Sequence, residues 1–158
     1  MSGSVSALYR DDLYSWSLGQ AASLRRMAGL RFDDAPELDW HELAQEIEAL
    51  GRSLEDELHA RFVVLLHNLL KWQFQPGFRS RSWQSSITVH RRGIARLLRK
   101  NPGLQTRAAA ELADAYVSAR LRAVSETGFA ETTFPERCPY PRTSVEDEGF
   151  WPGGEPEL

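Results

Sequence analysis

In the most apolar run of the chain, VVLLHNLLKWQFQ at residues 63–75, His67 and Lys71 stand one helical turn apart. An imidazole and an amine at that spacing could hold a proton or grip an anion, given a pocket around them. Projected at about 100° per residue, they continue a stripe that starts with Glu42, Glu46 and Glu57. A lysine in a dry interior needs a counter-charge, whereas one in water does not. The stripe is therefore read first as a narrow strip that faces solvent or meets complementary charges on a neighbouring helix. The functional alternative is a polar pocket between helices, built from Glu46, His67 and Lys71 with Arg91 and Tyr116 completing it.

Other chemistries find less support. A di-iron helical bundle requires two Glu-x-x-His pairs and two further carboxylates. Asp56 and His59 supply one pair of that spacing, and the sequence holds no second. His-x-x-x-His and His-Glu-x-x-His are both absent. His41, His59, His67 and His90 are read as surface or core-edge residues, and neither a metal nor a cofactor is expected. Cys138 is the only cysteine, so no disulfide can form within the chain. Its setting, RCPYPR, suits an ordered turn in a reduced, cytoplasmic protein better than an activated nucleophile. Neither a Gly-x-Ser-x-Gly elbow nor a glycine-rich phosphate loop occurs. The balance leans against an enzyme.

Charge is distributed unevenly. Residues 58–110 carry ten bases and no acid, while 1–57 and 111–158 carry net charges of −7 and −6, which leaves −3 for the chain. Arg79, Arg81, Arg92, Arg96, Arg99 and Lys100, with Arg107 beyond them, could form a face for phosphates or another anionic ligand. Trp72 and Trp83 would offer stacking surface nearby. The same cations could equally be neutralised within the fold, by Glu42, Glu46 or Glu111.

The elements that must position these residues read as helices throughout. With 158 residues, 42% of them hydrophobic, the chain suits one globular domain. A first helix is expected from about Asp11 to Met27, with Leu13, Trp16, Leu24 and Met27 inward and an end at Gly29 and RFDDAPEL. A second opens at Asp39 and runs to Pro76. Its stripe is Leu43, Ile47, Leu50, Leu54, Leu58, Phe62, Leu65 and Leu69, with Gly51 a place to bend. A third lies between Ser82 and the NPG turn, with Trp83, Ile87, His90, Ile94 and Leu97 inward. A fourth runs from Pro102 to Gly128, with the small inner stripe Ala108, Leu112, Ala115, Ala119 and Ala123. Beyond Gly128 the period gives way to prolines and aromatic residues, with one helical turn expected in SVEDE. The expectation is all-α: a single domain over 1–158, an elongated bundle of about four helices over 11–128, and an irregular Pro/aromatic-rich tail over 129–158 packed on it. No run is long and apolar enough to cross a membrane, and the opening MSGSVSALYRDD lacks a secretory pattern.

Several motifs carry a resemblance, namely ALYRDDLYSWSLGQAASLR, LAQEIEALGRS, LLHNLLKWQFQP, RSWQSSITVHRRGIARLLRKNPGL, DAYVSARLRAVSETG and FPERCPYP. In their types and order the chain resembles domain-of-unknown-function family twenty-nine, a bacterial family, over Leu8 to Pro152. The resemblance implies an all-helical fold and no particular activity. Gln45 stands where that family usually has the first Glu of AEEIE, so a carboxylate pair there would be incomplete in this member. The function expected is a cytoplasmic protein-interaction or small binding module without catalytic activity, pairing with a protein partner or a second copy through the apolar stretch 62–74 and the aromatic tail. The alternatives are nucleic-acid binding through the basic 79–107 region and an enzyme with a pocket at His67 and Lys71.

Overall fold

The computed structural model describes residues 4–30 and 37–157. Among the described residues there are six α-helices, three short 3-10 turns and no strand. The α-helices are α1 (Val5–Asp11), α2 (Leu13–Gly29), α3 (Trp40–Phe74), α4 (Arg81–Lys100), α5 (Gln105–Thr127) and α6 (Arg142–Glu146). The all-α reading holds, with six helices in place of about four. None is long and apolar enough to cross a membrane. Most of RFDDAPEL, expected to end the first helix, lies outside the described residues.

Local chemistry explains the boundaries. The first expected helix forms as α2, and an additional helix, α1, precedes it, with Asp12 in an extended conformation between the two. The Asp12 carboxylate accepts from the Ser15 amide at 3.0 Å and the Ser15 hydroxyl at 2.7 Å, capping α2, while the Asp12 amide closes α1 on Leu8. Asp39 caps α3 by accepting from the Glu42 amide at 3.0 Å. That helix then runs unbroken through Gly51 for 35 residues. Gly128, at a φ of 72°, stops the chain just past α5.

The chain forms two compact units, one of residues 1–56 with 98–106, the other of 57–97 with 107–158. The first is organised by small residues and polar clasps. Ala44 and Gly51 of α3 are buried, as are Ser17 and Ala21 of α2. A Cβ on Gly51 would sit 2.8 Å from the Ser17 hydroxyl oxygen and 3.7 Å from both Leu18 and Tyr14. This close approach turns the buried face of α3 away from the stripe its spacing suggests. Leu43 and Leu50 consequently stand 39% and 43% exposed. Asp12 also accepts from the Gly103 amide at 2.8 Å, and Asn101 accepts from the Tyr14 amide at 3.2 Å. A Cβ at Gly103 would fall 2.0 Å from the Ser15 hydroxyl oxygen and 3.0 Å from the Asp12 carboxylate, so any larger residue must displace that clasp.

The second unit holds the denser core. Leu58, Phe62, Leu65, Leu66, Leu69, Leu70 and Trp72 of α3 are fully buried, together with Ile87 and Ile94 of α4. Burial of one such side chain contributes about 1.5–3 kcal/mol. The small stripe of α5 is buried as its spacing predicts. The tail joins this core. Phe134 packs edge-on against Phe74, Trp151 lies 4.9 Å from Trp72, and Tyr140 donates to the Gln73 side chain at 2.6 Å. The expected helical turn forms as α6.

Within the first unit, Gly51→Val adds branched carbons where neither Ser17 nor Leu18 leaves room. The expected loss is about 1–3 kcal/mol of stability in urea unfolding. An unchanged midpoint would show that α2 and α3 do not approach this closely.

Candidate functional site

His67 and Lys71 do come together, and what joins them is a carboxylate from α5. Glu126 Oε2 lies 3.2 Å from His67 Nε2 and 2.7 Å from Lys71 Nζ, while its Oε1 accepts from Arg122 at 3.3 Å. The Lys71 ammonium also sits 4.9 Å from the centre of the Trp83 ring, a cation–π distance. His67 is 3% exposed. This end of the stripe therefore meets a complementary charge on a neighbouring helix.

The electrostatics follow from burial. Desolvation pushes the His67 imidazole down from 6.5 to about 4, outweighing the Glu126 carboxylate that favours the cation. The ring is neutral at pH 7. Burial alone would raise the pKa of Glu126, yet the Lys71 hydrogen bond and the nearby His67 and Arg122 hold it below the usual carboxylate value. A neutral imidazole and a lysine closed on the same Glu126 oxygen answer the charges inside the cluster, while the buried Nδ1 of His67 has no hydrogen-bond partner among the described residues.

The other candidate pocket residues lie elsewhere. Arg91 is buried and donates to the carbonyls of Val145 at 2.8 Å and Phe150 at 2.7 Å, with its guanidinium 5.4 Å from the Trp151 ring centre. Tyr116 donates to the Pro135 carbonyl at 2.5 Å, and burial raises its phenol to about 12. Glu46 is an exposed residue of the first unit. Arg91 and Tyr116 thus bind tail backbone.

The basic residues divide in the same way. Arg79 donates to the Trp72 carbonyl at 2.9 Å and stacks over its ring, and Arg92 pairs with Glu148 at 2.8 Å. Arg107 pairs with Glu111 at 3.1 Å. Arg81, Arg96, Arg99 and Lys100 on α4 are exposed and form no ion pair among the described residues. Cys138 is half-buried, and burial pushes its thiol pKa up, away from nucleophilic reactivity.

Sequence spacing missed one constellation. His59 of α3 faces Glu111 and Asp114 of α5, its Nδ1 being 3.3 Å and 3.5 Å from their oxygens. The three-residue step from Glu111 to Asp114 places both acids on one side of α5, which was the available signal. Nothing local in the sequence ties that pair to His59.

A test of the His67 environment follows from its sign. An imidazole depressed by folding contributes stability above about pH 6.5, which is lost as pH falls toward 4. Glu126, also depressed, adds loss below its ordinary range. His67→Gln keeps a donor for Glu126 without the titration. Urea unfolding between pH 6.5 and 4 should then show a shallower slope, by up to about 1.4 kcal/mol per pH unit. Parallel profiles for wild type and variant would show that His67 is not held neutral.

Comparison with solved structures finds an α-helical protein of unknown function from Rhodospirillum rubrum ATCC 11170. It is 25% identical to this chain, covers 90% of each chain and superposes with a TM-score of 0.71. No curated protein matches the sequence. The family model described as "Domain of unknown function DUF29" matches residues 8–151, nearly the whole folded body described above. The chain belongs to the DUF29 family.

Proposed function

We propose that the chain is a protein-interaction module without catalytic activity, and that its docking surface lies on the first unit. The observation that carries this reading is the exposure of Leu18, Leu43 and Leu50, each about 40% exposed beside a helix crossing built from small residues. Leu43 and Leu50 are seven residues apart and share one side of α3, with the half-buried Ile47 between them. Leu18 borders the crossing, its side chain 3.7 Å from a Cβ placed on Gly51. Large aliphatic side chains gathered in this way form a patch of the kind partner chains cover. The stretch 62–74, first in line from its sequence, offers no such surface, because Leu65, Leu66, Leu69, Leu70 and Trp72 are fully buried in the second unit. His67 and Lys71 bond to Glu126, which supports a role without catalysis. A lone, poorly acidic cysteine fits a cytoplasmic setting.

A second reading is favoured by the four exposed cations of α4, Arg81, Arg96, Arg99 and Lys100, which lack ion-pair partners among the described residues. Under it, they meet nucleic-acid phosphates.

Light scattering on the eluting protein separates the outcomes. The interaction reading expects a dimer or a stoichiometric complex, with Leu43→Glu combined with Leu50→Glu giving a monomer of unchanged helical content. A strict monomer with no co-purifying partner overturns it. For the second reading, fluorescence anisotropy with a short labelled duplex should show binding that weakens with salt, with a log–log slope of about −0.9 for each phosphate engaged. No binding at low salt removes that reading.

A further inference from the structure

We propose that His59, Glu111 and Asp114 form a site for a single divalent transition metal of the zinc class. The geometry starts from the imidazole. His59 Nδ1 lies 3.3 Å from Glu111 Oε2 and 3.5 Å from Asp114 Oδ2, and the three ligand atoms all lie within 4.8 Å of one another. Bonds of about 2.0–2.2 Å opened at a tetrahedral angle place ligand atoms about 3.3–3.6 Å apart. The nitrogen therefore already stands at that spacing from both carboxylates. The Asp114 side chain, 77% exposed, is free to adjust the remaining edge.

Three further features fit a cation. One Nδ1–H makes a good hydrogen bond to one acceptor, so two carboxylates converging on it leave one poorly served, whereas a metal engages both. Two carboxylates and a neutral imidazole offset a charge of two. Arg107 holds Glu111 Oε1 at 3.1 Å, which leaves Oε2 toward His59 and fixes the carboxylate as outer partners of metal ligands do. With three protein ligands, the fourth position is left to water, and the exposed Asp114 side is the entry path. A metal and a proton compete for the same imidazole nitrogen, so binding is coupled to proton release.

The site belongs to the second unit and is independent of the proposed docking surface on the first. Untagged protein titrated with ZnCl2 in a calorimeter should bind a single equivalent, with a heat that varies with the ionisation enthalpy of the buffer. His59→Ala and Asp114→Asn should each weaken binding at least tenfold, and His41→Ala should leave it unchanged. Co2+ in place of Zn2+ should give the visible absorption of a four-coordinate ion in wild type and lose it in His59→Ala. Circular dichroism of the variants checks that they are folded. Absence of Zn2+ binding by the wild type overturns the proposal, and so does binding that survives in both folded variants.

Discussion

A guanidinium can leave water only where acceptors wait for it, and the second unit is arranged around that demand at Arg91. The side chain projects from the inward side of α4, is 2% exposed and forms no ion pair among the described residues, where its Nη1 also finds no acceptor. Its acceptors are main-chain carbonyls of the tail, at Val145 and Phe150. Desolvation lowers its pKa, partly offset by the field of Asp147 and Glu148. The irregular segment after Gly128 is thus part of the core's polar accounting. Arg79 and Arg120 act similarly, Arg79 toward Trp72 and Arg120 toward the carbonyls of Glu131 and Phe134. Aromatic contacts from Phe134, Tyr140 and Trp151 then add apolar burial to the same attachment.

The polar residues of α3 obey the same rule with a different partner. The Lys71 ammonium meets the Glu126 carboxylate, and His67 is neutral because burial strips its imidazole of water more than that carboxylate can offset. The contrast with His59 is instructive. There two carboxylates converge on one half-exposed imidazole, an excess of negative ligands in place of a deficit. The same helix pair therefore carries one cluster in which a single acid meets two basic side chains and one in which two acids meet a single imidazole.

Much of this body can be read from spacing, because phase along a single helix is a local property. The Asp39 cap, the inward Ile87, Ile94 and Leu97, the small face of α5 and the stop at Gly128 all follow from neighbouring residues. The short helix α1 was missed, because the expected first helix opened only at Asp11, and the reach of the Asp12 carboxylate to the Gly103 amide, 91 residues on, is not a local signal. The roll of α3 was hidden for another reason. Leu43 and Leu50 outrank Ala44 and Gly51 in hydrophobicity, yet the closest approach of two backbones selects the smallest residues. Partnerships between helices, such as His67 with Glu126 or His59 with Glu111, depend on which turns face one another, and same-helix spacing does not encode that.

That Arg91 grips peptide carbonyls has a consequence for synthesis on the ribosome. The acceptors reach as far as Phe150, and Trp72 donates to the carbonyl of Gly154. Helices α4 and α5 emerge from the exit tunnel well before those groups do. Until residues 145–150 are translated, the nascent second unit carries an unanswered cation where its interior will be. Its folding therefore waits for residues 145–154, and because backbone carbonyls serve as acceptors, side-chain drift at 145 or 150 can alter the packing there without removing the anchor.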